Sequence, residues 1–538
     1  MNLSFRRFIP AISLALFTWM PAYVAAERPT APKLLPKSTL AYVRVADSQE
    51  LGEAFMETAS GKLGKDKNIQ PLISHLYSSA TQAFAEVEER IGVSLGEILS
   101  IPQGELCFAV VGQETGPPAI VVLIEVGDRT DVARRLLDFI ESEARSDGGT
   151  ISSEDVGDTK VNIIDGNDRV AYCVREGVVL FASDVDLMKE MLGVWDGDAG
   201  AETFADNRQF TSIMRRSAGT KDERPQITFF IDPIELIRNV SRDNFGAQAT
   251  LALFPSLGLD GVKSAGGSII LSTEEFDSIT HIHVMLDNPR KGVLEMLALE
   301  AGDTTPEDWV PQDAASYMTV NWNLQDTVDA FEKIYDKIRG EGAFADDLKR
   351  RMSDPAGIDV REELLAKLDD RVTHVSWFEK QARVNSGTNL IGVKLSDPSG
   401  FKKTVEGLIA KFALQESTKR IYRGTTYYEF PARRRPNPNL DESLVRQPSP
   451  CVAIVGDYLL LSDSTECLKA AISNKKSPAN DLGEELDYKL IASKIEHLAG
   501  SAQPAMIAFQ RPEESMRSFY DLATSPNTRR RLEEAAKN

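Results

Sequence analysis

The organisation of this chain is set by one segment, Leu35-Pro36-Lys37-Ser38-Thr39-Leu40-Ala41-Tyr42-Val43, which recurs later in the chain as Val310-Pro311-Gln312-Asp313-Ala314-Ala315-Ser316-Tyr317-Met318. Further matches follow in the same order, at offsets from 266 to 279: Ile91-Gly92-Val93 with Ile358-Asp359-Val360, Thr159 with Thr425, Gly177 with Gly456, Ser183-Asp184 with Ser462-Asp463, and Pro225 with Pro504. Self-similarity that keeps its order along the chain is the signature of a repeat. The sequence therefore predicts one unit present in two tandem copies.

The offsets also predict the domain boundaries. We expect a signal peptide at 1–26, copy one at 27–300, a polar linker at 301–309 and copy two at 310–538. A hairpin and a helix are expected at the end of copy one, between Gly266 and Glu300. They have no counterpart in copy two, because copy two ends first.

Short strands joined by tight turns predict the fold class. In copy one, Val170–Arg175 and Val178–Ala182 read as a hairpin. Copy two repeats it as Val452–Val455 and Tyr458–Leu461 around the two-residue turn Gly456-Asp457. Neighbouring strands connected in this way pair antiparallel, and amphipathic helices between them must cover a sheet face. Each copy is therefore predicted to be α+β, with helices packed on a mainly antiparallel or mixed sheet.

Composition and charge exclude several classes of protein. The chain has 538 residues, of which 42% are hydrophobic and 26% charged, as in ordinary globular proteins. Its net charge of −20 argues against nucleic acid as a partner, because binding phosphates requires a basic surface. Residues 36–300 carry 24 basic and 43 acidic side chains, whereas 311–538 carry 33 and 34. The argument against nucleic acid is therefore stronger for copy one.

The first 26 residues read as an export signal. Arg6 and Arg7 precede an uncharged apolar segment, 8–24, and Val24-Ala25-Ala26 supplies small residues for cleavage. An uncleaved anchor is the alternative, but the segment contains two prolines and is at the short limit for a membrane span. No later segment is long and apolar enough for a span. The sequence thus predicts a periplasmic or extracellular protein without a transmembrane helix after cleavage near Ala26.

Three motifs resemble those of a known family of large exported bacterial proteins, found mainly in planctomycetes, that carry a domain of unknown function. They are the repeated Leu-Pro-x-x-Thr-Leu-x-Tyr-Val opening, Gly258-Leu259-Asp260-Gly261 with Gly266-Gly267-Ser268, and Pro289-Arg290-Lys291-Gly292-Val293-Leu294. The resemblance spans most of the mature chain. It implies export and a shared fold, and it implies no activity or catalytic residues.

One pair of histidines could bind a metal. His281 and His283 stand two apart on a predicted strand, so their side chains point to the same face. Two imidazoles placed in this way can bind a metal, with a third ligand from the acidic residues Glu274, Glu275 or Asp277. A solvated strand face is the simpler interpretation.

No motif predicts a catalytic chemistry or a cofactor. Gly92-Val93-Ser94-Leu95-Gly96 fits the nucleophile-elbow pattern, but a helical segment precedes it where a strand is required. Ser94 with Glu97 instead predicts a capping box. The sequence contains no P-loop, dinucleotide-binding fingerprint, H-E-x-x-H or C-x-x-C. The sequence therefore favours a protein that is not an enzyme and has no cofactor.

The cysteines suggest a disulfide in copy two. Counting outward from the Gly456-Asp457 turn places Cys451 opposite Ser462, and Cys467 follows in the next helix. The offset of 279 aligns the two cysteines with Tyr172 and Met188 of copy one, so both positions change to cysteine together. Export permits a disulfide, and we predict Cys451–Cys467, with two free buried thiols as the alternative. Cys107 and Cys173 are weaker candidates.

An exposed loop of copy two could meet an anionic partner. Copy two gains an insertion between Pro431 and Pro450, and this insertion includes Arg433-Arg434-Arg435. A basic run can bind an anionic surface, although most such runs are simply solvated. Two functions remain open: an exported, non-enzymatic binding or scaffold protein with a protein or cell-envelope partner, or an envelope hydrolase or metal-dependent enzyme with a site in one copy or between the copies.

Overall fold

The computed structural model describes residues 28–67, 70–166, 169–198, 200–219, 223–379, 383, 385–411, 417–431, 445–477, 481–499 and 503–524. The chain forms two compact units. Unit 1 comprises the chain up to Pro255 together with Asp260–Pro289, and unit 2 comprises Ser256–Leu259 and the chain from Arg290 onward. Each unit is built on its own antiparallel sheet with helices, which confirms the predicted α+β class.

Unit 1 contains a ten-stranded sheet in which all neighbouring strands are antiparallel. Its strands are β1 (Thr39–Val45), β2 (Leu106–Val111), β3 (Ala119–Glu125), β4 (Thr150–Val156), β5 (Thr159–Asp165), β6 (Arg169–Arg175), β7 (Val178–Ala182), β8 (Ile227–Ile231), β9 (Val262–Leu271) and β10 (Ser278–Leu286). Across the sheet the order is β4-β5-β6-β7-β3-β2-β1-β8-β9-β10.

Eleven α-helices are described in the first half of the chain. They are α1 (Ala31–Leu34), α2 (Ser48–Glu57), α3 (Ala59–Gly64), α4 (Gln70–Ile91), α5 (Leu95–Leu99), α6 (Thr130–Ser146), α7 (Val185–Trp195), α8 (Arg208–Arg216), α9 (Pro233–Val240), α10 (Phe245–Leu251) and α11 (Phe254–Leu257). Helix α5 begins with the predicted capping box, in which Ser94 and Glu97 bond each other's backbone N–H groups. The serine of the nucleophile-elbow pattern is therefore a helix cap.

Unit 2 contains an eight-stranded antiparallel sheet. Its strands are β11 (Ser316–Asn321), β12 (Leu368–Phe378), β13 (Gly387–Leu395), β14 (Thr418–Tyr422), β15 (Thr425–Glu429), β16 (Cys451–Val455), β17 (Tyr458–Ser462) and β18 (Met506–Gln510). Across the sheet the order is β14-β15-β16-β17-β13-β12-β11-β18.

Eight α-helices are described in unit 2 beyond Arg290. They are α12 (Leu324–Arg339), α13 (Ala343–Leu348), α14 (Asp354–Ala356), α15 (Val360–Glu363), α16 (Pro398–Lys411), α17 (Thr465–Lys476), α18 (Leu486–Ala499) and α19 (Pro512–Thr524). Among all the described helices, none combines the length and the apolar character that a membrane span requires.

The two sheets follow the same path. Eight strands of unit 1, from β4 at one edge to β8, occur in the same order as the eight strands of unit 2, from β14 to β18. Unit 1 continues with β9 and β10, whereas no described strand lies beyond β18. The extra hairpin thus covers β8 but has no described equivalent on β18.

The strand registers give the equivalence residue by residue, and they correct one alignment. Arg175 pairs with Val178 in unit 1, and Val455 pairs with Tyr458 in unit 2, so this hairpin repeats at an offset of 280 rather than the predicted 279. The alignment of Gly177 with Gly456 was misleading because the two turns differ. In unit 1 the backbone angle φ is positive at both turn residues. In unit 2 φ is positive at the first turn residue, which is the glycine.

Both units have an aromatic cluster on one sheet face. In unit 1, Tyr42 lies 5.4 Å from Phe210, and Phe210 lies 6.0 Å from Phe230, measured between ring centroids. In unit 2 the same arrangement joins Tyr317 to Tyr488 at 6.2 Å and Tyr488 to Phe509 at 5.3 Å. Edge-to-face packing of this kind adds to the burial of the rings. These clusters hold α8 and α18 against equivalent strands.

The segment 301–309 is not the predicted polar linker. It lies within unit 2, where Trp309 is fully buried in the core and Glu307 is also buried. Asp308 pairs with Lys475 at 2.7 Å, and the Tyr317 hydroxyl donates to the carbonyl of Thr304 at 3.2 Å. The polar residues of this segment resembled a linker because their partners lie far away in sequence.

Two chain segments cross at glycines within unit 2. Gly258 and Gly292 both have φ > 0, and a Cβ on Gly258 would lie 2.0 Å from the carbonyl oxygen of Lys291. A Cβ on Gly292 would lie 2.1 Å from the carbonyl oxygen of Leu257. Only glycine combines this backbone conformation with so close an approach. The helix expected between Gly266 and Glu300 is instead the 3-10 turn Gly292–Met296, which follows this crossing.

Candidate functional site

The outer edge of β18 is open in the part of unit 2 that the structure describes. On the inner side, the backbone N–H of Arg511 donates to the carbonyl oxygen of Ala315 at 2.8 Å. N–H groups alternate between the two sides of a strand, so those of Met506, Ala508 and Gln510 face the open edge. Unpaired N–H and C=O groups on an edge strand form a template for a further strand.

Two equivalent isoleucines differ in exposure because β9 flanks β8, whereas no described strand flanks β18 on its outer side. Ile213 and Ile491 are each the sixth residue of their helix, α8 or α18, one turn after the aromatic residue that packs on the sheet. Ile213 is 1% exposed, because β9 passes over it: a Cβ on Gly266 would lie 3.3 Å from its Cγ2. Ile491 is 42% exposed, since no described strand covers it.

Further apolar side chains border the same edge. Leu490 is 53% exposed beside Ile491 on α18, where unit 1 has Ser212. On the opposite face of the sheet, Met506 is 52% exposed, whereas its counterpart Ile227 is partly buried. We call the open edge of β18, with these three side chains of unit 2, the β18 edge surface. Exposed apolar side chains on both faces of an unpaired strand edge are typical of a surface that takes a partner.

A second shared feature, an ion-pair network, has opposite charges in the two units. In unit 1, Glu105 is buried and pairs with Arg28 at 2.6 Å, and Arg28 also pairs with Glu125. The strand registers place Arg371 at the position of Glu105 and Lys394 at that of Glu125. The offset of the repeated opening motif makes Asp303 the equivalent of Arg28. Asp303 lies 3.5 Å from Arg371. The fold thus keeps the Arg28–Glu105 pair as Asp303–Arg371 with the charges reversed, whereas Lys394 pairs with Asp369 at 3.2 Å.

The network in unit 2 is a buried structural one. Arg371 Nε lies 3.0 Å from Glu307 Oε1, and Glu307 also accepts hydrogen bonds from the hydroxyls of Thr373 and Tyr317. Burial raises the pKa of Glu307, and the attraction of Arg371 opposes that rise. A carboxylate enclosed in this way stabilises its surroundings only while the cation is present.

The two histidines share a face, as predicted. The rings of His281 and His283 stack with centroids 6.5 Å apart, and His281 Nδ1 lies 3.3 Å from Ser268 Oγ. Burial and the neighbouring His283 lower the pKa of His281. Asp277, a predicted third ligand, accepts the backbone N–H of Ala59 at 2.6 Å. Within the described ranges, no group of three or more potential ligands is arranged to hold a metal.

The four cysteines are buried free thiols in this structure. Cys451 pairs with Ser462, as predicted from the turn. Burial and the proximity of Cys467 raise the pKa of Cys451 to about 12, and burial raises that of Cys467 to about 12. The corrected register places Ala171 and Leu187 at these positions in unit 1, in place of the residues that the offset of 279 gives. The Cys451–Cys467 disulfide stays a prediction.

Cys107 and Cys173 lie on separate strands of unit 1. The thiol of Cys173 lies 4.0 Å from the sulfur of Met188, and burial raises the pKa of Cys173 to about 11. Burial also raises the pKa of Cys107. Both behave as small core residues.

A cavity of about 260 Å³ in unit 2 is lined by four carboxylates, three of which, Asp313, Glu379 and Glu514, have partners. The indole N–H of Trp377 donates to Asp313 Oδ2 at 3.0 Å, and Glu379 Oε1 accepts a hydrogen bond from the hydroxyl of Ser464 at 3.0 Å. Glu514 and Arg517 of α19 form an ion pair at 3.0 Å. Carboxylates engaged in this way act first as structural groups.

A wider groove of about 530 Å³ runs along α16 and contains three lysines, Lys367, Lys403 and Lys411. Lys411 Nζ donates to the carbonyl of Ala356 at 2.7 Å, and Lys367 lies 3.5 Å from Asp397. Two of the three ammonium groups are thus engaged within the unit.

Two of the predictions lie outside the described residues. They are the signal peptide at 1–26 and the basic run Arg433-Arg434-Arg435.

Comparison of the chain with protein-family models, with curated proteins and with solved structures finds no match.

Proposed function

We propose that this chain is an exported, non-enzymatic binding or scaffold protein of the cell envelope, whose unit 2 binds another polypeptide at the β18 edge surface. One observation carries the proposal: Ile491 is 42% exposed at the position where Ile213 is 1% exposed. The same fold thus buries this face in one unit and leaves it uncovered among the described residues of the other. Exposed apolar area of this kind is stabilised by a partner.

The export part of the proposal rests on the sequence. The charged start, the apolar segment and the small residues before position 27 have the pattern of a cleavable signal. The resemblance of the repeated opening motif to large exported bacterial proteins supports the same location. A binding or scaffold role outside the cytoplasm suits a duplicated unit, since its copies present related but different surfaces.

Site-specific photo-cross-linking in cells that export the chain tests the binding role. A photoreactive amino acid at position 491 is expected to give a light-dependent adduct of higher mass. The matched control places it at Ile421, which is 72% exposed on β14 at the opposite edge of the same sheet. The Leu490→Asp variant is expected to lose the adduct at 491. Equal labelling at both positions, or at neither, would contradict the proposal.

A further inference from the structure

We infer that the β18 edge surface takes up an extended polypeptide segment as an additional antiparallel strand, with a small residue opposite Phe509. The inference rests on the proposed function and names the chemistry of the partner. The partner is a segment of another polypeptide that binds mainly through its backbone. In strand addition, hydrogen bonds between main chains give affinity, and side-chain pockets give selectivity.

Unit 1 shows which kind of residue fits opposite this phenylalanine position in the neighbouring strand. There the equivalent strand, β8, pairs antiparallel with β9, and Phe230 lies opposite Gly266. A Cβ on Gly266 would lie 2.6 Å from the carbonyl oxygen of Phe229, so even alanine is tight at this point. The Cγ2 atom of Ile213 on α8 lies 3.3 Å from the same Cβ position, so a larger side chain would meet both the backbone of β8 and the helix.

The groups that β8 uses are present in unit 2. Phe509 occupies the position of Phe230, and Ile491 that of Ile213, so a new strand would meet the same aromatic ring and the same aliphatic side chain. Ala508 replaces Phe229, which leaves more room on the other face. The outward N–H groups of β18 would then bond to the incoming strand, as those of β8 bond to β9.

The unit 1 strand itself supplies a probe. A labelled peptide with the sequence of β9, Val262–Leu271, is expected to bind the full chain, as measured by fluorescence anisotropy. The same peptide carrying Gly266→Val is expected to bind at least about tenfold more weakly, because the added side chain would meet backbone. The protein is the same in both measurements, so a change in its folding cannot explain a difference in peptide binding.

Hydrogen–deuterium exchange distinguishes strand addition from simple apolar docking. Bound peptide is expected to slow exchange of the outward amides of Met506, Ala508 and Gln510. The amides of Ile507 and Phe509 face β11 and serve as an internal reference. On the protein side, Ile491→Asp is expected to weaken binding, and Ile421→Asp, at the far edge of the sheet, is the matched control.

Several results would overturn the inference. They are equal binding of both peptides, binding without protection of the outward amides, and no binding. A dimer that protects the same amides without peptide would assign the edge to a second copy, and would also overturn it. If the adduct at position 491 forms while the peptide results are negative, the proposed binding function stands and only the strand mechanism fails.

Discussion

A matched pair of substitutions, Ile213→Ala and Ile491→Ala, tests whether β18 lacks the cover that β8 has. Ile213 is 1% exposed and packed between its helix and β9, so its truncation leaves a cavity. Removal of a buried isoleucine side chain to alanine costs about 2–5 kcal/mol of unfolding free energy, because the transfer and cavity terms add.

The same substitution at Ile491 is expected to cost far less. The side chain is 42% exposed. The three carbons removed are worth about 0.8 kcal/mol each when fully buried, and the partial burial reduces the sum to about 1.4 kcal/mol. Water fills the space that truncation leaves, so no cavity term is added. The expected difference between the two variants is thus about 0.6–3.6 kcal/mol.

The assay must report each unit separately, because unfolding of a two-unit chain is not expected to be two-state. Urea titration followed by peptide-resolved hydrogen–deuterium exchange gives one midpoint for β8 and another for β18. The variant in one unit is the control for the other. An equal loss of stability in the two variants would show that Ile491 is covered as well as Ile213 is, and would refute the reasoning behind the β18 edge surface.

Three further predictions concern unit 2. Arg371→Met leaves Glu307 buried without its cation and is expected to lower the free energy of unfolding by about 3–5 kcal/mol. Because the pKa of the Glu307 carboxyl then rises further, urea unfolding should show a larger loss of stability at pH 8 than at pH 5. Adding Glu307→Gln to the same chain should restore most of the lost stability. Gly258→Ala is expected to lower the free energy of unfolding of unit 2 by about 1–3 kcal/mol or more. The control, Gly407→Ala in α16, has no atom within 4 Å of the added carbon and should be neutral or slightly stabilising in the same urea assay. When the exported protein is unfolded and alkylated without reductant, intact mass is expected to show two labelled thiols, Cys107 and Cys173, and four after reduction. Four labelled thiols without reductant would exclude the Cys451–Cys467 disulfide.

Local patterns predicted the features that local chemistry controls. The capping box at Ser94 followed from the spacing of a hydroxyl and a carboxylate. The pairing of Cys451 with Ser462 followed from a two-residue turn. The repeated opening motif identified two related units, because strands and turns with the same order of residues adopt the same local structure.

The features that the sequence did not reveal depend on distant partners. The segment 301–309 is polar, yet Glu307 finds its cation much further along the chain, in Arg371 on β12. The reversed ion pairs of Glu105 and Arg371 became visible only from strand registers. The two turn glycines, Gly177 and Gly456, suggested an alignment that was wrong by one residue, because a turn can place its glycine at either central position.

The sequence by itself determined the α+β class and the repeat. Only the tertiary structure showed that, among the described residues, the equivalent edges of the two sheets differ. It places Ile491 beside an open strand edge and Ile213 beneath a closed one, although both are isoleucines at the same step of equivalent helices. Burial is decided by which strands meet across the fold, and that pairing joins residues far apart in the chain, so no local pattern contains it.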